Sequence, residues 1–266
     1  GSFFTPGYIT EYICKKTLRR AVIDKFNKAK GWKCKDFEDL KENIEYKQRD
    51  VRIEANEIIN SLRICDPAVG SGHFLVSALN EIIAIKSELG VLQDRQPLPK
   101  RIQDYDIKVE YDELVIADED GDVFKYEPSN PSSQRIQEAL FEEKRTIIEN
   151  CLFGVDLNSK SVEVCRLRLW IELLKNAYYY KTETGERLLQ TLPNIDINIK
   201  MGNSLASVNP VCVGRKIKES AGIQKLVRDY KANVREYKNC RSKTTKVLLN
   251  NDIKDIKRKL APPVQL

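Results

Sequence analysis

One stretch of this sequence constrains the fold more than any other: an apolar run, an acid, a glycine-rich turn and then an amphipathic helix. The run covers residues 62–65, the acid is Asp66, the turn carries Gly70 and Gly72, and the helix is predicted over 72–89. This order of strand, glycine loop and helix is how a parallel α/β sheet binds an adenosine-containing cofactor. The glycines let the backbone approach a ligand closely and take positive φ angles.

The same loop argues against two other classes of nucleotide site. It has no Gly-Lys-Ser/Thr, so no lysine can reach a phosphate as in a P-loop, and its glycines do not form the Gly-x-Gly-x-x-Gly of a dehydrogenase. Asp66 stands directly before the loop, where a carboxylate suits a cofactor with a cationic end and repels a phosphate. The alternative is an ordinary glycine-rich turn between a strand and a helix.

Two further polar residues follow predicted strands. A buried strand over residues 151–156 ends on Asp156, and an alternating strand over 195–201 is followed by Asn203. Because ligands bind outside the carboxyl ends of strands in an open parallel sheet, we expect Asp66, Asp156 and Asn203 to share one edge. A carboxylate can accept two hydrogen bonds from ribose hydroxyls, and an amide can pair with an adenine edge. Taken singly, Asp156 could equally be a helix N-cap and Asn203 a turn residue.

Basic residues are concentrated in the C-terminal segment. Residues 215–259 hold 15 Lys and Arg against 5 Asp and Glu, whereas the rest of the chain holds 30 against 34. Such a surplus suits a polyanionic partner, although charge alone favours a solvated helical surface. The apolar spacing in this region predicts two helices that form a basic arm or hairpin.

The remaining composition is typical of a cytoplasmic globular protein. The 266 residues suffice for one large or two small domains, with 41% hydrophobic and 32% charged residues. No apolar run approaches the length of a membrane span, and the first residues do not form a secretory signal, so we predict no membrane partner. Seven scattered cysteines without a Cys-x-x-Cys pair indicate reduced thiols, and with His73 as the only histidine we predict no metal site.

Four segments resemble one enzyme family. The string Asp-Pro-Ala-x-Gly-Ser-Gly-x-Phe-Leu at residues 66–75 closely resembles the S-adenosylmethionine loop of DNA methyltransferases that act on the exocyclic amine of adenine. Residues 153–170 are similar to that family's Gly-Val-Asp-Leu-Asn segment and the Arg-Leu-Arg-Leu-Trp after it, and residues 194–205 to its segment ending in Gly-Asn-Ser-Leu. Residues 1–6 look like the N-terminal Ser-Phe-Tyr-Thr-Pro element of gamma-ordered adenine methyltransferases. The order and spacing look most like the methyltransferases of type IIG restriction–modification enzymes and related phage-defence systems.

This resemblance implies a site for S-adenosyl-L-methionine. In the family the N-terminal element closes over the methionine part of the cofactor. His73 is expected to be a helix N-terminal residue without a catalytic role, since amine methylation in this family needs no histidine base. The implied cofactor-binding residues are Phe4, Thr5, Pro6, Asp66, Pro67, Ala68, Gly70, Ser71, Gly72, Phe74, Asp156, Leu157, Asn203, Ser204 and Leu205.

One family element has no counterpart in this sequence. The family transfers the methyl group at an Asn/Asp-Pro-Pro-Tyr/Phe element, whose polar groups accept hydrogen bonds from the adenine amine and whose ring stacks on the flipped base. The nearest string, Asn209-Pro210-Val211-Cys212, lacks the second proline and the aromatic residue. We therefore predict no catalytic residue in this chain, which is expected to stop before the catalytic loop and to be inactive alone.

The predicted fold class is α/β, a partial Rossmann-like fold of the S-adenosylmethionine-dependent methyltransferase type. One helix is predicted over residues 36–60, and a β-hairpin is predicted around Asp120-Gly121. The predicted parts are an N-terminal helical region with a cofactor lid at 1–61, a cofactor-binding α/β core at 62–210 with an insertion at 90–133, and a basic helical arm at 211–266.

The leading hypothesis is the S-adenosylmethionine-binding part of an adenine-specific DNA methyltransferase from a restriction–modification or phage-defence system. Double-stranded DNA would be its partner, through the parent enzyme or through the basic arm at 215–259, alongside nuclease and target-recognition domains of the same polypeptide. Two alternatives stay open. One is a non-catalytic module that binds DNA or another partner, and the other is a methyltransferase that acts on RNA, protein or a small molecule.

Overall fold

The computed structural model divides the chain into two compact units. One unit comprises residues 1–192 and 198–202, and the other comprises 193–197 and 203–266. The described residues are 5–94, 99–102, 105–118, 120–181, 185–190, 198–205, 221–240 and 243–260. The glycine loop and its scaffold lie in the first unit.

The first unit is mixed α/β, as the sequence predicted. In its described residues the helices are α1 (Gly7–Lys30), α2 (Phe37–Asn43), α3 (Arg49–Asn60), α4 (His73–Glu88), α5 (Pro131–Asn150) and α6 (Ser159–Leu174). The strands are β1 (Ile64–Asp66), β2 (Tyr105–Glu110), β3 (Glu113–Asp118), β4 (Leu152–Asp156), β5 (Tyr179–Lys181), β6 (Arg187–Leu189) and β7 (Ile199–Met201).

A parallel sheet of three strands in the order β1-β4-β7 carries the loop. Asp66 of β1 lies opposite Gly154 of β4, and Asp156 of β4 lies opposite Met201 of β7. The three strands therefore end at one edge, and helices connect them as parallel strands require. Only the last three residues of the strand predicted over 195–201 are strand in the described residues, because 191–197 lie outside them.

The single helix predicted over residues 36–60 is wrong, because the chain breaks into α2 and α3. Ile44 is buried in an extended conformation and ends α2. The buried Arg52 donates from Nη1 to the carbonyl oxygens of Tyr46 (2.8 Å) and Lys47 (3.0 Å). These bonds satisfy carbonyls that would otherwise bond within a continuous helix, so a tertiary contact overrides local helix propensity.

Helix α4 forms the centre of the core. Every residue from Leu75 to Lys86 is buried, because α1, α5 and β2 all pack on this helix. Buried charges on this helix are paired, as burial demands. Lys86 Nζ bonds to Asn60 Oδ1 at 2.9 Å and pairs with Glu143 of α5.

A second buried lysine, Lys144, lies between α5 and α6. Its Nζ donates to the carbonyl oxygen of Glu172 (3.1 Å) and lies 3.5 Å from Glu172 Oε2. Glu172 is also paired with Lys175 at 2.9 Å. Burial outweighs the attraction of Glu172 and lowers the pKa of Lys144 to about 8.

Removing the Lys144 ammonium should change how stability depends on pH. Between the lowered pKa of Lys144, about 8, and its unfolded value of 10.5, the unfolded chain binds more protons at this site than the folded one. The contribution of Lys144 to the free energy of unfolding therefore rises as the pH rises through this window, by roughly 2–3 kcal/mol. In urea unfolding at several pH values, the stability of Lys144→Met relative to the wild type should fall across the window. Lys28→Met, at an exposed position of α1, should show no such change, and parallel curves for the wild type and Lys144→Met would contradict the pKa assignment.

Strands β2 and β3 lie in the predicted β insertion, and a turn that was not predicted joins them. The predicted hairpin around Asp120-Gly121 is also present, since the amides of Asp118 and Phe124 donate to the carbonyl oxygens of Asp122 (3.0 Å) and Ile116 (2.9 Å). Strands β2 and β3 are joined by Tyr111 and Asp112, both in the left-handed region with φ of 53° and 64°. Two consecutive positive φ angles are typical of a tight hairpin turn. The predicted Asp120-Gly121 turn forms the other end of the insertion, where the Gly121 amide donates to the Asp118 carbonyl oxygen at 3.0 Å.

The second unit contains two helices in its described residues, as predicted. They are α7 (Ala221–Asn239) and α8 (Lys243–Leu260), and they pack on each other through Tyr237, Leu249 and Ile253. Throughout the described ranges, no helix is both long enough and apolar enough to cross a membrane.

Candidate cofactor site

The glycine loop begins where β1 ends and closes with the start of α4. Asp66 Oδ1 accepts a hydrogen bond from the Ala68 amide at 3.0 Å, which turns the chain out of the sheet. Gly70 and Gly72 then take positive φ angles of 51° and 83°. Gly72 is the N-cap of α4 and accepts the first helical bond, from the Val76 amide at 3.0 Å. The backbone between Asp66 and α4 therefore needs glycine at both positions.

The two glycines have different surroundings. A Cβ atom added at Gly70 would meet nothing within 4 Å, whereas one added at Gly72 would lie 2.6 Å from Cys165 Sγ of α6. Gly72 therefore allows α4 and α6 to approach each other closely. Gly70 leaves the other side of the loop open to a ligand.

Asp156 ties the loop to the end of β4. Its Oδ2 accepts a hydrogen bond from the Gly70 amide at 2.9 Å, and its Oδ1 accepts one from the Asn158 amide at 2.8 Å. The Val69 amide also donates to the Val155 carbonyl oxygen at 2.9 Å. The helix N-cap of α6 is Asn158, so Asp156 does not serve as that cap. Because each carboxylate oxygen has two acceptor positions, both oxygens of Asp156 keep one for a ligand.

Strand β4 approaches the loop closely because it carries Gly154. A Cβ atom there would lie 2.8 Å from Cγ2 of Val69 and 3.3 Å from Cδ1 of Ile199. A larger residue would separate the loop from the sheet or push β7 away from β4. Gly154 thus sets the distance between the loop and the strand that supplies Asp156.

The buried thiols next to the loop are not nucleophiles. Burial, and to a lesser degree the charge of Asp66, raises the pKa of Cys165 to about 12. Burial and the nearby carboxylate of Asp112 raise the pKa of Cys14 to about 12, and the Cys14 thiol lies 3.8 Å from the Phe74 carbonyl oxygen. Because the thiolate is the reactive form, both side chains act here as packing groups.

The start of α1 lies beside the start of α4. A Cβ atom at Gly7, the first residue of α1, would lie 3.8 Å from His73 Nε2 and 3.6 Å from Asp112 Cβ. Pro6 stands directly before it, and the Pro6 carbonyl oxygen accepts from the Ile9 amide at 3.0 Å. Gly7 therefore lies beside His73, the residue that follows the glycine loop.

His73 connects α4 with α6 and with the insertion. Its Nδ1 lies 3.1 Å from Arg168 Nη2, and its Nε2 lies 3.1 Å from Asp112 Oδ2. Because a guanidinium can only donate, Nδ1 is the acceptor in its contact with Arg168. The imidazole therefore lies between two charged side chains and links α4 to α6 and to the insertion.

The turn residue Asp112 is held by two helices. Its amide donates to Glu11 Oε2 of α1 at 3.0 Å, and its carbonyl oxygen accepts from Asn80 Nδ2 of α4 at 3.2 Å. Sequence analysis missed Asp112, Arg168 and Cys165 as parts of this region. No spacing rule links them to the loop, since they come from distant segments.

The other predicted site residues lie in four places. Phe4 lies outside the described residues, and Thr5 and Pro6 are exposed before α1. Leu157 directly follows β4 and is 71% exposed. Asn203 belongs to the second unit, where its Oδ1 accepts from the Leu205 amide at 3.0 Å. The remaining positions are Pro67 and Ala68, exposed in the loop; Ser71 and Phe74, half-buried at the start of α4; and Ser204 and Leu205, exposed after β7.

The described residues contain no cluster of three or more His, Cys, Asp and Glu side chains arranged to hold a metal ion. The polar groups at the sheet edge are instead backbone amides and two carboxylates. They suit a ligand with hydroxyl groups and a cationic end.

Comparison with known proteins gives the family. The model of the MmeI DNA-methyltransferase domain matches residues 41–221. A putative type II restriction enzyme and methyltransferase of Methanocaldococcus jannaschii is 35% identical over 216 residues, which is 77% of this chain and 14% of that protein. A type II restriction enzyme and methyltransferase of Escherichia coli is 28% identical over 149 residues, which is 56% of this chain and 11% of that protein. No solved structure matches the chain.

The chain thus spans a small part of the relatives it matches. The match to the family model covers the loop, β4, α6 and β7. Taken with the glycine loop tied to Asp156, these matches show that the chain belongs to the MmeI DNA-methyltransferase domain family, a methyltransferase region of restriction–modification enzymes.

Proposed function

We propose that this chain binds S-adenosyl-L-methionine as the cofactor-holding part of a DNA methyltransferase that acts on the exocyclic amine of adenine. The observation that carries the proposal is the hydrogen bond between the Gly70 amide and Asp156. It supports a site in which an open glycine loop and a carboxylate with spare acceptor positions face the same ligand.

The residues present fit this cofactor. Gly70 has open space where a side chain would be, so the loop backbone can approach the ligand. Asp156 would accept hydrogen bonds from the ribose hydroxyls, and Asp66 would attract the cationic methionine end. The bound cofactor supplies an activated methyl group, and the chain's own part is to hold and orient it.

The adenine and methionine ends would be covered by the remaining predicted residues. Leu157, exposed after β4, would offer an apolar surface to the adenine ring. On the family resemblance alone, Asn203, Ser204 and Leu205, which follow β7 directly in the chain, are proposed as adenine-contacting residues. Phe4, Thr5 and Pro6 would close over the methionine end, next to the start of α4 where Gly7 lies.

Methyl transfer itself is proposed to need groups that this sequence does not contain. No Asn/Asp-Pro-Pro-Tyr/Phe string occurs in the 266 residues, so nothing here would accept hydrogen bonds from the adenine amine or stack on a flipped base. The chain alone should therefore bind the cofactor without methylating DNA.

Two measurements on the purified chain test this proposal. Calorimetric titration with S-adenosylmethionine should show one binding site per chain, and incubation with radiolabelled cofactor and mixed-sequence duplex DNA should leave the DNA unlabelled. Absence of cofactor binding would overturn the proposed site. Labelling of the adenine amine by the chain alone would contradict the expectation that the chain cannot methylate DNA by itself.

A second candidate function is DNA binding by the second unit. Its helices pack their apolar stripes on each other and leave basic side chains such as Lys225, Arg228 and Lys231 of α7 and Lys254 of α8 exposed. If these side chains contact phosphates, the affinity for duplex DNA should fall steeply as the salt concentration rises. An affinity that salt does not change would argue for protein packing instead.

A further inference from the structure

One cavity in the first unit has a basic lining. Its volume is about 420 Å³, within the range of small-molecule sites. It lies between the 44–48 turn, the start of α3, the segment at 99–101 and the start of α5. Five cationic side chains and one ring line it, with Pro99: Tyr46, Lys47, Arg52, Lys100, Arg101 and Arg135. None of these residues belongs to the glycine loop or to the end of β4.

Most of these positive charges are not neutralised. Arg135 pairs with Asp94 at 2.5 Å. Arg52 donates instead to backbone carbonyl oxygens and to the side-chain oxygen of Gln93, none of which carries a charge. Within the described residues, no carboxylate forms an ion pair with Lys47, Lys100 or Arg101. The cavity therefore has a strong positive potential.

Arg101 is held in place with an unused donor. Its guanidinium carbon lies 4.4 Å from the centre of the Tyr46 ring, and its backbone carbonyl oxygen accepts from Arg135 Nη2 at 2.8 Å. Its Nε is buried and has no hydrogen-bond partner among the described residues. A buried donor without a partner is unfavourable. Arg101 lines the cavity, so its guanidinium group can donate to an acceptor that enters there.

Gly90 supports this arrangement. It has a φ of +68°, and a Cβ atom there would lie 3.1 Å from Cγ of Tyr46 and 3.3 Å from Nε of Arg101. Glycine therefore leaves room for the stacked pair. The guanidinium plane is thus fixed before any ligand binds, which reduces the entropy lost on binding.

We propose that this cavity binds a free phosphate ester or polyphosphate of about mononucleotide size. Arg101, Lys47 and Lys100 would donate to its oxygens, because several converging cations suit an anion with more than one negative charge and several acceptors. A concave space of this volume fits a small molecule better than the convex backbone of a DNA duplex. The site is separate from the proposed cofactor site, whose ligand has a cationic end.

Inorganic pyrophosphate and ADP are the probes that test this site. Each is titrated by calorimetry into the whole chain, with and without excess S-adenosylhomocysteine to fill the adenosine site. Pyrophosphate has no adenosine and should bind equally in both cases. The double variant Lys47→Gln/Lys100→Gln changes two exposed lysines and should weaken binding of both probes by about 10-fold or more. Lys28→Gln/Lys41→Gln makes the same charge change at exposed positions of α1 and α2 and should leave it unchanged.

Several results would contradict the proposed phosphate site. The proposal is overturned if neither probe binds the wild type at millimolar concentration, or if both double variants weaken binding equally. A duplex oligonucleotide that binds better than pyrophosphate and loses affinity in Lys47→Gln/Lys100→Gln would assign the cavity to the DNA backbone and also overturn it. Affinity for S-adenosylmethionine should be the same in both double variants. A chain that binds pyrophosphate but not S-adenosylmethionine would contradict the proposed function and leave the phosphate site intact.

Discussion

Replacing Asp156 by asparagine should weaken binding of S-adenosylmethionine by roughly 10- to 100-fold. The two oxygens of this carboxylate accept from two different backbone amides, of Gly70 and Asn158. An amide side chain has only one oxygen, so one of the two N–H groups would face an NH₂ group. The loop would lose its link to β4, and the ribose would lose a charged acceptor. Calorimetric titration of the variant measures the effect.

Asp118→Asn is the matched control for this experiment. Asp118 also accepts from two backbone amides, those of Asp120 (3.1 Å) and Asp122 (2.9 Å), but both reach the same oxygen. Asparagine can therefore keep both bonds, and cofactor affinity should equal that of the wild type. If Asp156→Asn binds the cofactor as the wild type does, Asp156 is not part of the site.

The substitution Gly72→Ala should lower the free energy of unfolding by about 2–5 kcal/mol. A φ of +83° costs about 1–2 kcal/mol for a residue with a Cβ atom, and overlap with the buried Cys165 Sγ adds about 1–3 kcal/mol. Urea unfolding of the variant measures the loss. Cofactor affinity should also fall, because α4 cannot shift without moving the loop.

Two further variants separate the causes of that loss. Gly70→Ala has the backbone strain without the overlap, since nothing lies within 4 Å of the added atom, and should cost only about 1–2 kcal/mol. Cys165→Ala removes the sulfur and should recover part of the stability of Gly72→Ala. Equal losses for Gly70→Ala and Gly72→Ala would contradict the packing of α4 on α6.

The elements around the loop were predictable because local signals and the sheet pattern agree there. Asn158 caps α6, so this helix begins at Ser159, where the sequence indicates. Helix α5 begins at Pro131, three residues before the start that its apolar pattern predicts, because Asn130 caps it and proline is favourable in a first helical turn. The strand ends at Asp66 and Asp156 follow from apolar runs that stop at acids. Parallel pairing then brings these ends to the same edge.

Features that depend on distant contacts were not predictable from local pattern. The break after α2 rests on Arg52, which bonds to carbonyl oxygens of the preceding turn and to that of Pro99. The Tyr111–Asp112 turn contains no glycine, and the Asp-Gly pair nine residues later is the stronger local signal for a hairpin. Hydrogen bonds with α1 and α4 stabilise the Tyr111–Asp112 turn. These helices lie far from the turn in the sequence, so the local sequence does not reveal the bonds.

The basic cavity has no local signal for the same reason. Its residues come from the 44–48 turn, α3, the segment after α4 and α5, and each segment alone has an ordinary charge pattern. Only the fold brings these cations together. Tyr46 and Arg101 are far apart in the sequence, so their stacking contact cannot be predicted from it.

The two ends of the β insertion differ in how much change they can accept. At one end Asp112 bonds to α1 and α4 and faces His73, so a longer or shorter turn there would break contacts beside the glycine loop. At the other end Asp120 and Gly121 are exposed, and a side chain at Gly121 would meet nothing. A reporter peptide or a grafted domain should therefore be inserted at Asp120-Gly121, where added chain leaves the loop and its supporting helices undisturbed.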